Sequence, residues 1–468
     1  MFFKLQLAET VLPALTAVVG IALIAFWLQA SPGELEARIP GRDGTTTIDL
    51  ADIPAPEAGE PIAGAGKAST IEGEWPTFRG VNNDNISTDP TRLARSWPPE
   101  GPPVLWSVDV GDGYAGPVIS GGRVYLLDYD EEAEADTLRC FSLDDGREIW
   151  RNSYPVVIAF HHGMTRTVPA VVGDYVITMG PRCHLACWDA NTGKCHWLID
   201  LVRDHGSRVP EWYTGQCPLI DQDRLIVAPC GDSLVSAIDY KTGEFIWKSP
   251  NPLGWKMTHV SVVPMEFQGR RSYVYCASGG VAGVAADDGT PLWTSTAWKE
   301  INATGPSPVI LPDDRIFLSR GYGSGALMLQ LAETNGAIEA KTLFELRPRS
   351  FSSEQQTPIF RDGHLIGIRK IGSKSLVCLD LDGNEIWSSG GDRFGIGPYM
   401  FADGLLLIVD DHGTLTLAEA SPSGGYKRLA QHELWPDGHD AWGPLAVAGG
   451  RVIVRDLTRI VCLDIAEK

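Results

Sequence analysis

Internal repetition constrains this chain most. The segment LRCFSLDDGREIW at 138–150 reads as two apolar strands around an Asp-Asp-Gly turn and ends on a tryptophan. The pattern returns as LACWDANTGKCHW at 185–197, LVSAIDYKTGEFIW at 234–247, VAGVAADDGTPLW at 281–293 and SLVCLDLDGNEIW at 375–387. The terminal tryptophans Trp150, Trp197, Trp247 and Trp293 are separated by 47, 50 and 46 residues, and Trp387 follows after 94, or two units. The skipped unit lies at 305–344, with Phe344 in the tryptophan position. A degenerate seventh unit spans roughly Gly395–Ala430.

The first half of the unit, a second hairpin pattern, recurs as well. It appears as GPVISGGRVY at 116–125, CPLIDQDRLIVAP at 217–229, SPVILPDDRIFLS at 307–319, TPIFRDGHLIGIR at 357–369 and GPLAVAGGRVIVR at 443–455. Four strands per period of about 45 residues is the arithmetic of a propeller blade. The eighth unit ends after its third strand, near Asp464. The strand it lacks stands at the other end of the repeat region: PVLWSVDV at 103–110 carries its own Trp106. Donating that strand to the last blade closes the ring and removes an exposed sheet edge. The expected fold is all-β, an eight-bladed propeller of four-stranded blades over 103–468.

These units resemble the quinoprotein-like, or PQQ-repeat, β-propeller family, whose motif Ala/Cys-x-Asp-x-x-Thr-Gly-x-x-x-Trp locks neighbouring blades. Asp144, Asp189, Asp239, Asp287 and Asp380 match its aspartate, and Gly146, Gly193, Gly243, Gly289 and Gly383 match its turn glycine. The resemblance covers about 105–468. It implies that these aspartates and the tryptophans, Trp106 included, dock blades rather than perform chemistry. The WD40 alternative lacks its recurring Gly-His and Trp-Asp pair.

Residues Val11–Ala30 contain no charged side chain, and Lys4 precedes them. Twenty such residues are about long enough to span a bilayer as a helix. The positive flank keeps that end cytoplasmic and sends the bulk of the chain outside, to a periplasmic or extracellular location. A cleaved signal peptide is the rival reading, although Leu28-Gln29-Ala30 is a poor cleavage site. No cysteine precedes Cys140, which excludes a lipid-modified N-terminal cysteine. The organisation read from the chain is thus a membrane anchor or uncleaved signal segment at 1–30, a flexible linker at 31–74 and a lead-in segment at 75–102. That lead-in opens on Trp75-Pro-Thr-Phe-Arg-Gly80, which resembles the start of many bacterial exported propellers.

The formal net charge of -20, unbroken by any basic stripe, excludes nucleic acid as a partner. Nine cysteines at irregular spacing are no disulfide framework. Cys140, Cys187, Cys378 and Cys462 share one register of the repeat, where Ala237 stands in another unit, and read as core. Cys183-His184, Cys187 and Cys195-His196 form a metal-like cluster, with a Cys183–Cys195 disulfide as an alternative and buried thiols as the plainer reading. DLDGNE at 380–385 coincides with a blade turn and lacks the layout of a calcium loop. The acidic run at 128–136 reads as a solvated insertion.

The candidate ligand site is the mouth of the central channel. Residues just before each first strand ring it: Tyr114, Arg166, Gln216, His259, Gln356 and Trp442, with His161, His162 and Tyr213 nearby. Large polar and aromatic groups converging on one funnel suit a ligand. Family members that oxidise alcohols hold pyrroloquinoline quinone and calcium in this funnel under an adjacent Cys-Cys pair. This chain has no Cys-Cys dipeptide, no Cys-x-x-Cys-His and no Gly-x-Ser-x-Gly. Another relative, the propeller lipoprotein of the outer-membrane β-barrel assembly machine, binds a partner protein without catalysis. The reading is therefore a membrane-tethered exported scaffold for a protein, polymer or small ligand, with no catalytic residue, metal or cofactor expected. A quinone-dependent alcohol or polyol dehydrogenase and an extracellular ligand sensor are the alternatives.

Overall fold

Apolar side chains fill whole strands in the middle of each repeat and alternate in its last strand. Ser233–Ile238 and Leu405–Val409 are buried at every position, whereas Phe245–Pro250 alternates between covered and exposed. A strand packed on both faces reads as a continuous apolar run, and one with a solvated face alternates. The computed structural model describes residues 15–25, 55–158, 165–300 and 303–468, in two units divided between Thr47 and Ile48.

The second unit is the eight-bladed propeller. Blade 1 holds Val118–Ser120, Arg123–Asp130, Ala135–Ser142 and Glu148–Pro155. Blades 2 to 7 begin at Ala170, Leu219, Val263, Val309, Ile359 and Tyr399, each with four antiparallel strands in sequence order. Blade 8 combines Ala446–Ala448, Arg451–Arg455 and Arg459–Asp464 with Val104–Asp109, and Trp106 faces Cys462 across the ladder. The ring closes by the donated strand, as the missing eighth tryptophan strand implied.

The blade seams follow one rule. The outer-strand aromatic stands opposite a small residue of the third strand: Trp150 opposite Cys140, Trp197 opposite Cys187, Trp247 opposite Ala237, Trp293 opposite Gly283 and Trp387 opposite Cys378. A bulge interrupts the ladder beside each of these pairs. The indole thus lies flat across its own sheet and reaches the next blade. Trp106 donates Nε1–H to the Leu143 carbonyl at 3.0 Å, Trp150 to Ala190 at 3.2 Å, Trp197 to Tyr240 at 2.9 Å, Trp247 to Ala286 at 3.0 Å and Trp387 to Ser421 at 2.9 Å. The turn glycine of the receiving blade sits under the ring: a Cβ on Gly193 would meet Trp150 at 2.4 Å, and one on Gly289 would meet Trp247 at 2.4 Å. Phe344 takes this role over Gly383, as its register suggested.

Two expectations about these residues are corrected. Trp197 and Trp387, expected to be buried at blade junctions, are half-buried. Trp293 packs on its own Gly283, and the seam from blade 4 to blade 5 is held by Trp298, fully buried with Nε1–H on the Ser319 carbonyl at 2.9 Å. Nor do the aspartates reach across seams as a set. Asp189, Asp239 and Asp380 turn their carboxylates onto backbone N–H groups of their own turns. Asp287 contributes only its carbonyl to Arg224, and Asp144 lies 3.6 Å from Arg451 across the closing seam.

Residues 55–74, placed by composition in the flexible linker, are ordered against the ring. Ile62–Ala63 adds a fifth strand to the outer edge of blade 1, opposite Arg151 and Trp150. Gly59, Gly64 and Gly66 donate backbone hydrogen bonds to Ser153, Ile149 and Glu148. The lead-in then passes along the inner strands. Trp75 bridges Ile119, Pro76 accepts from Val171, Ile86 bridges Phe401 and Leu93 bridges Ala466. Gly80 fits because a Cβ there would strike the Trp75 ring at 2.7 Å.

In the first unit, residues 15–25 form a helix whose apolar side chains Leu15, Val18, Val19, Ile21, Leu23 and Ile24 are exposed. Among the described residues no helix is long and apolar enough to cross a membrane; the rest of Val11–Ala30 lies outside them.

Removing one seam indole tests the docking rule. Trp247→Ala should destabilise the propeller by roughly 3–5 kcal/mol, the range for deleting a buried aromatic, read as a shift of the denaturant midpoint. Wild-type unfolding would show that the seam does not depend on this contact.

The seam between blades 1 and 2 holds a buried acid. Asp136 accepts from the Tyr154 hydroxyl, its Oδ1 has no partner, and burial pushes its carboxyl up to about 7. A carboxyl raised in the folded state weakens folding as pH climbs from the unfolded value near 4 through 7. Unfolding free energy should therefore fall by a few kcal/mol between pH 4 and 8 on account of this group. Asp136→Asn should flatten that part of the profile. An unchanged slope in the variant would remove Asp136 from the account.

Candidate functional site

The residues that enter each blade form a belt of cross-blade hydrogen bonds. Val168 N–H reaches Cys217 Sγ at 3.2 Å, Cys217 N–H reaches Ser261 Oγ at 2.9 Å, Ser261 N–H reaches Ser307 Oγ at 3.3 Å and Ser307 N–H reaches Thr357 Oγ1 at 2.9 Å. At the corresponding point of blades 7, 8 and 1 stand Gly397, Gly443 and Gly116, each followed by proline. A Cβ on Gly116 would strike Pro444 at 2.8 Å, so the ring closes there by direct approach. This belt fixes the backbone from which the mouth residues project.

Above it lies a cavity of about 280 Å³. Five of the six expected mouth residues line it: Tyr114, Arg166, His259, Gln356 and Trp442. The sixth does not. Gln216 is fully buried in its own blade, where its side-chain amide pairs with both the N–H and the carbonyl of Ala228. A buried amide satisfies itself where backbone groups lie within reach, and Gln216 takes that option. His161 and His162 lie outside the described residues.

The lining is held by mutual contacts. Arg166 stacks its guanidinium 4.9 Å from the Tyr114 ring centre and donates Nε–H to the Trp212 carbonyl. Tyr114 and Trp442 lie 5.1 Å apart at 32°. Trp442 donates Nε1–H to Asp411 at 2.9 Å, and Gln356 donates to the Trp442 carbonyl at 3.2 Å. Burial pushes the Tyr114 hydroxyl up to about 12, so it stays protonated and can donate. Burial also lowers Arg166 from its ordinary value.

His259 differs from its neighbours. It is 8% exposed, and neither ring nitrogen has a hydrogen-bond partner. Glu300 stands 4.0 Å from Nδ1, beyond hydrogen-bond reach. An imidazole this buried costs free energy unless something enters to pair with it.

Sequence reasoning did not select Phe78, Trp212, Tyr322 or Gln355, which also line the cavity. Phe78 arrives from the lead-in segment, next to Arg79. Trp212 and Tyr322 sit on irregular loops with φ of 67° and 39°. Left-handed backbone at bulky residues is strained and concentrates at binding sites. The one signal available for Tyr322 was its place in Gly321-Tyr-Gly-Ser-Gly325, a glycine-rich loop carrying a single aromatic.

The metal-like cluster separates in space. All nine cysteines are free, so the Cys183–Cys195 disulfide is not formed. Cys183 is buried against Thr214, and burial raises Cys183 and Cys195 to about 12 and about 11. Among the described residues no group of three His, Cys, Asp or Glu is placed to hold a metal ion.

Comparison with known proteins agrees with this architecture. No curated protein matches the chain. Among solved structures, a computationally designed protein, Ika8, superposes with a TM-score of 0.51 at 13% identity, covering 77% of this chain and 99% of its own. BamB from Moraxella catarrhalis gives 0.48 at 14% identity, over 77% and 99%. A europium-containing methanol dehydrogenase gives 0.43 at 13%, over 82% and 89%. The family described as outer membrane protein assembly factor BamB matches residues 134–381. That stretch is more than half of the chain and takes in the repeats whose tryptophans and glycines hold the seams, so the chain belongs to this PQQ-repeat propeller family.

Proposed function

We propose that this protein is a non-catalytic binding propeller whose ligand site is the mouth of the central channel. One observation carries the reading: His259, buried with both nitrogens unpaired, lines a cavity otherwise built from aromatic faces and amides. A small cavity with a few convergent polar groups is the usual form of a ligand site. The blades supply a rigid mount, and the loops before the first strands supply the contacts.

The quinone alternative fits less well. Calcium takes six to eight oxygen ligands, largely carboxylates and carbonyls. The cavity's described lining contains no Asp or Glu. Arg166 and Gln356 suit an anion or a carbonyl, but the donor set for a cation beside them is missing.

A thermal-shift screen of the full chain against several hundred polar metabolites tests the reading. Ligand at about 100 times its Kd should add about 2.7 kcal/mol, which is a rise of a few degrees. The rise should vanish in Trp442→Ala. A screen without hits, or hits that bind Trp442→Ala unchanged, would move function away from the mouth.

We further propose that the N-terminal segment tethers the propeller to the outer face of a membrane. The support is the uncharged run Val11–Ala30 behind Lys4, and the exposed apolar helix within it. The protein should stay with membranes through a high-salt wash and leave them in detergent. Release by salt alone would contradict the tether.

A further inference from the structure

The chemistry of the mouth is specific enough to name a ligand class. We propose that it takes a sugar acid, a pyranose ring carrying one carboxylate. This rests on reading the mouth as a ligand site. Five aromatic side chains, Phe78, Tyr114, Trp212, Tyr322 and Trp442, face the cavity. Aromatic faces pack against the C–H faces of a pyranose as well as against planar rings, so the polar groups decide between them.

His259 brings two ring nitrogens, neither with a hydrogen-bond partner, and an imidazole can donate at one and accept at the other. Gln355 and Gln356 add amides that also donate and accept. A flat aromatic acid would press carbon against these groups and leave them unsatisfied. Adjacent ring hydroxyls each donate and accept, and so match an imidazole and two amides. Arg166, the guanidinium in the described lining, lies half-buried at the same cavity against the Tyr114 ring. A guanidinium in that setting selects a carboxylate over a hydroxymethyl group. The cavity of about 280 Å³ suits one sugar ring with room for its linkage. Acidic groups also stand beside the mouth, Asp411 bonded to Trp442 and Glu300 4.0 Å from His259, so a ligand carboxylate is directed to the Arg166 side of the cavity.

The test uses the full chain in detergent, with tryptophan fluorescence and calorimetry. The probes are glucuronate, galacturonate, the matched neutral hexoses and benzoate. A uronate should bind and change the emission, and its neutral hexose should bind at least about tenfold more weakly, as loss of a charge-assisted hydrogen bond dictates. Arg166→Gln should abolish that preference, and His259→Leu should weaken the uronate several-fold. Tyr322→Ala, on a half-exposed loop, should also weaken it and keeps the test sound if the buried variants fail to fold. Benzoate or a neutral hexose binding as well as the uronate would overturn the sugar-acid assignment and leave the ligand site standing. Binding indifferent to all three variants would place the ligand elsewhere. No binding by any probe would overturn the sugar acid and remove the support for the mouth as a small-ligand site.

Discussion

The architecture depends on one contact that recurs from blade to blade with local variation: a ring on the outer strand lies across a small residue of its own blade and reaches the turn of the next. The small residue is Cys, Ala or Gly because the indole needs the space above it. A Cβ on Gly283 would meet Trp293 Nε1 at 2.2 Å. Phe344, a smaller ring, stands opposite the larger Met328. Cys140, Cys187, Cys378 and Cys462 therefore occupy one register for a packing reason, and their burial keeps the thiols protonated and unreactive. Each tryptophan seam covers aromatic surface and satisfies an indole N–H at once, so neither blade can rotate without losing both. A ring of such seams is stiff, and the donated Trp106 strand makes it continuous.

Stiffness at the seams allows irregularity at the mouth. Trp212, Tyr213 and Tyr322 hold left-handed backbone conformations that cost free energy in isolation. The belt anchors the chain at Cys217, five and four residues after Trp212 and Tyr213, and so offsets part of that cost. The lead-in contributes as well. Phe78 lines the cavity, and its neighbour Arg79 is buried and pushed down to about 10. A segment outside the repeat thus supplies part of the lining.

What the sequence made legible was whatever the repeat enforced. The tryptophan steps, the turn glycines and the missing eighth strand each report a contact that recurs, and a recurring contact leaves a periodic trace. Five of six mouth residues were also found, because position before a first strand is a repeat-level property. Gln216 shared that position and turned inward, since Ala228 offered it both a donor and an acceptor. The strap at 59–66 bonds through its backbone and so left no side-chain pattern to read. Phe78, Trp212 and Tyr322 come from non-repeating segments, where spacing carries no information. The aspartates misled because a carboxylate in a turn fits two roles, and here it closes its own turn.

Family membership gives the ring, and the function lies in what the ring holds. The central claim is that binding occurs at the mouth and nowhere else on the propeller. Hydrogen exchange of the full chain, with and without saturating uronate, addresses it directly. The account predicts slower exchange confined to 77–79, 112–116, 165–167, 212–217, 258–260, 320–324, 355–357 and 440–444, with the outer strands and the strap unchanged. Protection along the outer blade edges, with the mouth unaffected, would contradict it.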